Sequence, residues 1–315
     1  LGFDRVFDTD FAADLTIMEE GNEFIEWYTS GKKRPMFTSC CPGWVRFAKL
    51  HYPQFVEQLS SSKSPHQMMG AVVKNTLKEP MEAAGKKRMF VVSVMPCVAK
   101  KYECGVPQLS TEAGPDVDAV LTREFNSMLR MFKVNCADLE EVPFDNPLGL
   151  STGAGTIFGR TGGVMEAALR TAAFVLTGKN PDFATCDTTE ATPDRPWIDK
   201  TLEIADLTIK IAVASGLENT AKLLGALEAG EADYDFVEIM ACPGGCVGGG
   251  GQPIEFNVEM AAERAKVLNR LDTNDTLRFS HENPDIQKLY ADWIGKPLSE
   301  TAEAWLHTEQ TEWDI

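Results

Sequence analysis

Four cysteines drawn from three distant segments constrain this chain more than any hydrophobic run does. Cys41 lies in Thr38-Ser39-Cys40-Cys41-Pro42-Gly43-Trp44, and Cys97 in Met95-Pro96-Cys97-Val98-Ala99-Lys100-Lys101-Tyr102-Glu103. Cys242 and Cys246 lie in Met240-Ala241-Cys242-Pro243-Gly244-Gly245-Cys246, which runs on into Gly248-Gly249-Gly250-Gly251-Gln252-Pro253. Four thiolates are what one cubane iron–sulfur cluster takes. A zinc knuckle draws its ligands from short spacings instead. Only a folded domain can gather these cysteines, so the chain reads as built around a metal cluster.

The other uses of cysteine fit less well. Eight cysteines in 315 residues are too sparse for a disulfide scaffold, and the adjacent pair Cys40-Cys41 is an awkward disulfide. Cys104, Cys136 and Cys186 stand in no motif and read as small buried hydrophobes, in a reducing, anaerobic setting. With 47 acidic against 30 basic residues the net charge is −17, the wrong sign for gripping phosphates, so no nucleic-acid partner is expected. No apolar run approaches the roughly 20 residues of a membrane helix, so no membrane partner is expected either. Lys32-Lys33-Arg34 and Lys86-Lys87-Arg88 read as solvated faces, with docking of an acidic electron carrier as the other use. Leu1 to Phe7 read like the inside of a fold, so the sequence is expected to be an N-terminally truncated piece.

Hydrophobic patterning alternates strand and helix, which favours an α/β architecture with parallel sheets. Apolar runs over 88–94 and 235–241 predict buried strands ending before Cys97 and Cys242, and Met36–Ser39 predicts a short strand before Cys40. Each cysteine loop then follows a strand's carboxyl end, where ligands collect in open α/β sheets. Periodicity predicts helices over 13–29, 66–77, 164–176, 220–229 and 258–271, with Ser64-Pro65 and Asn283-Pro284 as helix starts. The Thr-, Asp- and Pro-rich stretch 181–196 predicts a surface loop. The expected fold class is α/β: two lobes of mostly parallel β-sheet flanked by helices, with the metal cluster in the cleft between them. A lobe boundary is expected near 105–115 or 181–200. Residues 1–253 would form the cluster-bearing domain and 254–315 a C-terminal helical region.

Gly244, Gly245 and Gly248 to Gly251 remove side chains beside Cys242 and Cys246, so backbone can lie against a cluster and donate N–H bonds to it. A helix after Gln252-Pro253 would turn its positive N-terminus the same way. No Lys-Ser/Thr follows these glycines, nor Gly159-Arg160-Thr161-Gly162-Gly163, so a phosphate-binding loop is excluded. The second run reads as a tight helix start near the cofactor.

The patterns TSCCPxW, MPCxxKxxE and ExMxCxxGCxxGGGQP, the last beginning at Glu238, resemble the three signatures of the iron-only (FeFe) hydrogenases and occur in the family's order. The resemblance covers essentially the whole chain, to Leu306-His307. It implies that Cys41, Cys97, Cys242 and Cys246 hold a 4Fe–4S cubane. Cys246 would be shared with a diiron unit carrying carbonyl, cyanide and bridging dithiolate ligands, the whole being the six-iron H-cluster. Cys40 would give protons to the diiron unit and take them from it, with Glu20, Ser60 and Glu23 relaying to solvent. Lys100 would bind a cyanide as a compact cation, while Met95, Pro96, Met240 and Phe158 would line the pocket.

The implied activity is reversible 2 H⁺ + 2 e⁻ ⇌ H₂, with a ferredoxin- or flavodoxin-type carrier as electron partner and maturation enzymes delivering the diiron unit. Residues 254–315 run on unbroken after the third motif, like a fused small subunit, which favours the single-chain, cytoplasmic arrangement. Two alternatives stay open: a Narf-like iron–sulfur assembly scaffold, and a hydrogen-sensing relative of low turnover. Cys40, Lys100, Met240 and Glu23 favour the enzyme, because a scaffold has no use for a proton relay. Two positions depart from the family's pattern: His66 stands where a glutamine is expected, and Trp27 where an arginine is expected beside the proton exit. The family's domain also begins before Leu1, with a short segment that touches the second cyanide.

Overall fold

The structure, a computed structural model, describes residues 2–85, 88–254 and 260–310. Lys86 and Lys87 of the second basic cluster, and the first two residues of the helix expected over 258–271, lie outside the described residues.

Strands β1 (Met36–Phe37), β6 (Ile198–Ile204), β7 (Leu207–Ser215) and β8 (Phe236–Met240) form one mixed sheet in the order β1-β8-β7-β6. Strand β8 runs parallel to both β1 and β7, and β6 returns antiparallel to β7. Strands β2 (Val92–Val94) and β5 (Ala119–Leu121) make a separate parallel ladder, and β3 (Ser110–Thr111) and β4 (Gly114–Pro115) an antiparallel one.

Alternation along β7 and β8 sorts the core into two layers. Ile209, Ile211, Val213, Phe236 and Met240 face Phe24, Ala167, Ala168 and Leu169 of two helices, Thr9–Ser30 and Gly163–Thr177. Ala212, Ala214, Val237 and Ile239 face Trp44, Val45, Leu223 and Leu224 of Pro42–His51 and Leu217–Glu228. Every residue of β8 is buried, as expected for a strand covered on both faces. A third core joins Phe11 and Leu15 to Met68 and Val72 of Pro65–Thr76 and to Ile286, Ala302 and Leu306 near the C-terminus. The Thr9–Ser30 helix therefore lies between two cores. Asp8 caps its start through the N–H of Asp10, and Gly31, at φ 71°, ends it in the left-handed conformation.

The expected helices form within a few residues of the predicted bounds. Asn283 caps Pro284–Leu289 through the N–H groups of Asp285 and Ile286. Ser64 precedes Pro65 in extended conformation, but its hydroxyl goes to Glu103 at 2.9 Å instead of capping the helix. The 181–196 loop contains one helical turn, Phe183–Cys186.

The 88–94 run is not a buried strand. Among the described residues only Val92–Val94 pairs, and it pairs with β5 alone, so Phe90 and Val94 are 60% and 47% exposed. The N–H of Val91 goes to the Asp118 carboxylate at 2.8 Å instead of to a neighbouring strand. Of the three unassigned cysteines only Cys186 is buried; Cys104, at the end of the Lys100–Glu103 helix, is half-buried and Cys136 is exposed.

The C-terminal segment folds back on the chain before Pro65. Thr308 N donates to Ser61 O and Lys63 N to Leu306 O, each at 2.8 Å, which sets His307 opposite Ser62 in an antiparallel bridge.

Candidate metal centre

The topology explains how distant cysteines meet. Parallel neighbours β1 and β8 send their carboxyl ends out side by side, so Cys40-Cys41 and the Cys242–Cys246 loop emerge together. The loop after β2 delivers Cys97. The glycines weld this loop to the third. Gly251 N donates to Pro96 O at 3.0 Å. A Cβ on Gly249 would stand 2.2 Å from Pro96 O, and one on Gly251 would stand 2.7 Å from the Pro96 carbonyl carbon. These glycines are required by backbone meeting backbone, a more specific reason than bareness beside a cluster. The Gly159–Gly163 turn is built the same way: Thr161 N donates to Gly244 O, and Val247 N to Gly159 O. Gly162, at φ 79°, starts the next helix and gives its N–H to Glu238 of β8 at 2.7 Å.

The thiols converge electrostatically. Cys246 is reached by the charges of Cys41, Cys97 and Cys242, Cys41 by that of Cys97, and Cys242 by that of Cys97. Burial is the largest cause pushing Cys41, Cys242 and Cys246 above the ordinary thiol range. Such thiols keep their protons until a metal displaces them. Cys41 sits at the N-terminus of Pro42–His51, where its Sγ accepts from Ala241 N at 3.4 Å. Among the described residues no three His, Cys, Asp or Glu side chains crowd closely enough for a single ion. Four thiols are the donor set of a cluster in which each iron takes one thiolate. The donor set and the glycine-welded loops fit a cubane.

Beside this set lies a second group. Cys40 is 7% exposed and shares an apolar cluster with Phe158 and Met240, against which Cys246 packs. Burial first, then the charge of Glu20, pushes its thiol well up, with Lys100 opposing. Lys100 is buried and donates to the Cys40 carbonyl at 2.8 Å and to Glu103. Burial opposes its charge, yet Glu103 and the thiols of Cys97 and Cys40 leave it above the ordinary lysine range. Burial is the largest influence on Glu103 and raises it, but Lys100 and His66 together outweigh burial and hold that carboxyl down at about 2. His66, at the glutamine position, bonds Ser93 and Glu103, and burial pulls its pKa down. Met95 and Pro96 are only half-buried; the Met95 N–H extends the β2 ladder to Leu121 O.

Glu20 and Glu23 project from the Thr9–Ser30 helix behind Cys40. Glu20 is fully buried, and neither carboxylate oxygen completes a hydrogen bond. Burial, then the charge of Glu23, raises it to about 8, with the nearby Ser60 hydroxyl and Ser39 N–H pulling partly back. Glu23 is well bonded. It accepts from Ser60 Oγ at 2.6 Å, Ser61 N at 2.8 Å, Ser61 Oγ at 2.9 Å and Ser62 Oγ at 3.3 Å. Trp27 is buried, with its indole N–H on Lys33 O at 2.9 Å.

Several polar ties escaped sequence reasoning. Glu238, inside a signature, binds the N–H groups of Gly162 and Met165. Asp14 and His307 are tied to residues far along the chain, and no local pattern marks them. Glu103 was within reach, since the second signature contains it.

The chain matches two family models: "Iron only hydrogenase large subunit, C-terminal domain" over residues 1–250 and "Iron hydrogenase small subunit" over 258–312. It is 47% identical, over 98% of its length, to the NADP-reducing hydrogenase subunit HndD of Solidesulfovibrio fructosivorans, of which it covers 53%. It is 32% identical, over 98% of its length, to protein NAR1 of Arabidopsis thaliana, covering 70% of that protein. The apo [FeFe]-hydrogenase HydA1 from Chlamydomonas reinhardtii superposes with a TM-score of 0.83 at 39% identity, over 98% of this chain and 84% of that one. The chain spans about half the length of the curated hydrogenases it matches. By the large-subunit match, which covers most of its residues, the chain belongs to the iron-only hydrogenase family.

Proposed function

We propose that this chain catalyses 2 H⁺ + 2 e⁻ ⇌ H₂. It would use a cubane held by Cys41, Cys97, Cys242 and Cys246, and a diiron unit with CO, cyanide and bridging dithiolate ligands seated beside Cys40 and Lys100. The observation that supports this reading is the buried line of Cys40, Glu20, Ser60 and Glu23 behind the thiol set. A protein that only stores or passes on a cubane gains nothing from a desolvated carboxyl with unbonded oxygens, which is costly to keep.

When bound, the cluster supplies electrons and an open iron coordination position; the rest falls to the chain. The Cys40 thiol carries the proton nearest the diiron unit. Glu20, with a pKa of about 8, holds a proton at neutral pH and can pass it to Cys40 without a large driving force. Ser60 stands between the two carboxyls: its hydroxyl donates to Glu23 at 2.6 Å and lies near enough to Glu20 to lower its pKa, so a small shift of Glu20 would complete the relay. Lys100, its charge secured by Glu103, offers N–H groups to an anionic ligand. Phe158 and Met240 exclude water around these groups.

On this reading residues 1–253 carry the chemistry and 254–315 act as a fused small subunit. A ferredoxin- or flavodoxin-type carrier exchanges electrons, maturation enzymes deliver the diiron unit, and the setting is cytoplasmic. Among the described residues no helix is long and apolar enough to cross a membrane.

The scaffold reading is favoured by one observation: the match to NAR1 also spans 98% of the chain. Expression with the maturation enzymes separates the two. The hydrogenase reading expects infrared bands of bound CO and cyanide together with hydrogen evolution. A normal cubane signal without those bands would favour the scaffold, and bands with very slow turnover would favour a sensor.

A further inference from the structure

We propose that protons reach Glu23 through Ser61 and His307, with the buried His307 ring as the proton-holding residue beyond Ser61. This rests on the relay reading of Cys40, Glu20, Ser60 and Glu23.

Glu23 is a branch point. One oxygen takes the Ser60 hydroxyl, and the other takes the N–H and hydroxyl of Ser61. The Ser61 hydroxyl stands 2.8 Å from His307 Nδ1, and His307 Nε2 stands 3.1 Å from Glu19 Oε2. Glu19 is fully buried and anchored by the Tyr290 hydroxyl and the Leu298 N–H. An anchored carboxylate keeps a proton on the nitrogen it faces, so Nε2 stays protonated and Nδ1 gains and loses the mobile proton. The backbone pairing of Thr308 and Leu306 with Ser61 and Lys63 holds the ring in this position.

The inward step balances as a double exchange. The Nδ1–H bond of His307 breaks while a bond forms to Ser61 Oγ, and Ser61's own proton passes to Glu23. One proton moves from imidazole to carboxylate, and no electrons change hands. The ring itself is buried, its side chain 2% exposed, and solvent comes nearest at half-buried Ser61 and Thr308 and at exposed Glu303, so the proton that reloads the ring enters past these neighbours. The groups facing His307 are Glu19 and Glu23 from the Thr9–Ser30 helix, Tyr290 behind Glu19, and Glu303 of the helix Glu300–Leu306 that His307 ends. Burial alone would lower the ring's pKa. The Glu19 hydrogen bond and the charges of Glu23, Glu19 and Glu303 outweigh it, so the ring titrates above an ordinary histidine. Four residues on from Glu23 along the helix stands Trp27, whose indole is bound to Lys33 O beneath the Lys32 ammonium and cannot accept a proton.

The test has a metal-free arm and a loaded arm. In metal-free protein, ¹⁵N NMR should show His307 with Nε2 protonated and a pKa above free histidine that drops in Glu23→Gln. In the loaded enzyme, His307→Gln should slow turnover by about 100-fold, the lower end for a lost acid–base group, leave the CO and cyanide bands unchanged, and recover with added imidazole. Ser61→Ala should show the same loss while His307 still titrates with its Nε2 proton. Wild-type rate and pH profile in both variants would overturn the branch, as would a His307 pKa insensitive to Glu23→Gln. A parent protein without infrared bands would sink the hydrogenase reading instead, and the NMR arm would still decide the branch.

Discussion

Asp14 and Glu20 stand less than two turns apart on one helix, both fully buried, yet their surroundings are opposite. Asp14 accepts four hydrogen bonds: from Thr152 N and Oγ1 at 2.9 and 2.7 Å, Ser280 Oγ at 2.8 Å and Asn283 Nδ2 at 2.9 Å. It ties the helix to two remote segments, Thr152 and the turn Ser280–Asn283. Glu20 has no completed hydrogen bond and faces Cys40, Ser60 and Glu23. Burial raises both, but the donors around Asp14 hold it at about 6, whereas burial and the charge of Glu23 carry Glu20 to about 8. Equal burial thus serves two ends. A carboxylate surrounded by donors is a tie, and one left unbonded beside a thiol is free to change its protonation state.

The largest effect should come from the thiol set that gives this contrast its meaning. Cys97→Ala should abolish the cubane signal, because one iron is left without its thiolate. Full iron content in that variant would remove Cys97 from the ligand set. Next comes Cys40→Ala, which should keep its iron, since Cys41 supplies the ligand, yet lose about 10²- to 10⁴-fold in hydrogen evolution. Cys40→Asp should recover part of the rate by carrying the proton on a carboxyl group, and Cys40→Ser should not, because a hydroxyl is too weak an acid. Loss of iron in Cys40→Ala would mean the two cysteines have exchanged roles.

The thiol set and its glycines were legible because each sits in a dense local pattern that survives without the fold. The strand before Cys242 was legible for a related reason, a run buried on both faces. The 88–94 run misled because apolar residues say nothing of how many neighbours a strand has; β2 has one. Asp14 was invisible since Thr152, Ser280 and Asn283 are scattered along the chain. His307 could be read only with the C-terminal segment laid against Ser61. Periodicity records which face of an element is apolar, and these ties are made by polar groups inside that face.

Asp14→Asn should sharpen the comparison on the stability side. An amide presents its N–H₂ to groups that donate, leaving at least one buried donor unpaired, a loss of about 1–3 kcal/mol. Thermal unfolding should register it as a lower Tm, while hydrogen evolution per folded molecule stays at the parent level. An Asp14→Asn protein of parent stability would show that the four bonds are not a tie.

The pH dependence of stability in metal-free protein has the same sign for the two carboxyls and separates them by window. Glu20 is raised in the folded state from about 4.5 to about 8, so between those values the folded chain holds a proton that the unfolded chain has released. Stability must then fall as pH rises through that interval and flatten above it, by at most about 1.4 kcal/mol per pH unit. Asp14 has the same sign, but its window closes at about 6. The difference between parent and Glu20→Gln, measured by denaturant unfolding from pH 5 to 9, should therefore slope through pH 6–8, where Asp14 no longer contributes. The corresponding difference for Asp14→Asn should be flat there and slope only below. A flat difference curve for Glu20→Gln would mean that Glu20 is ionised at neutral pH in the folded chain, and a relay that needs it protonated there would fail with it.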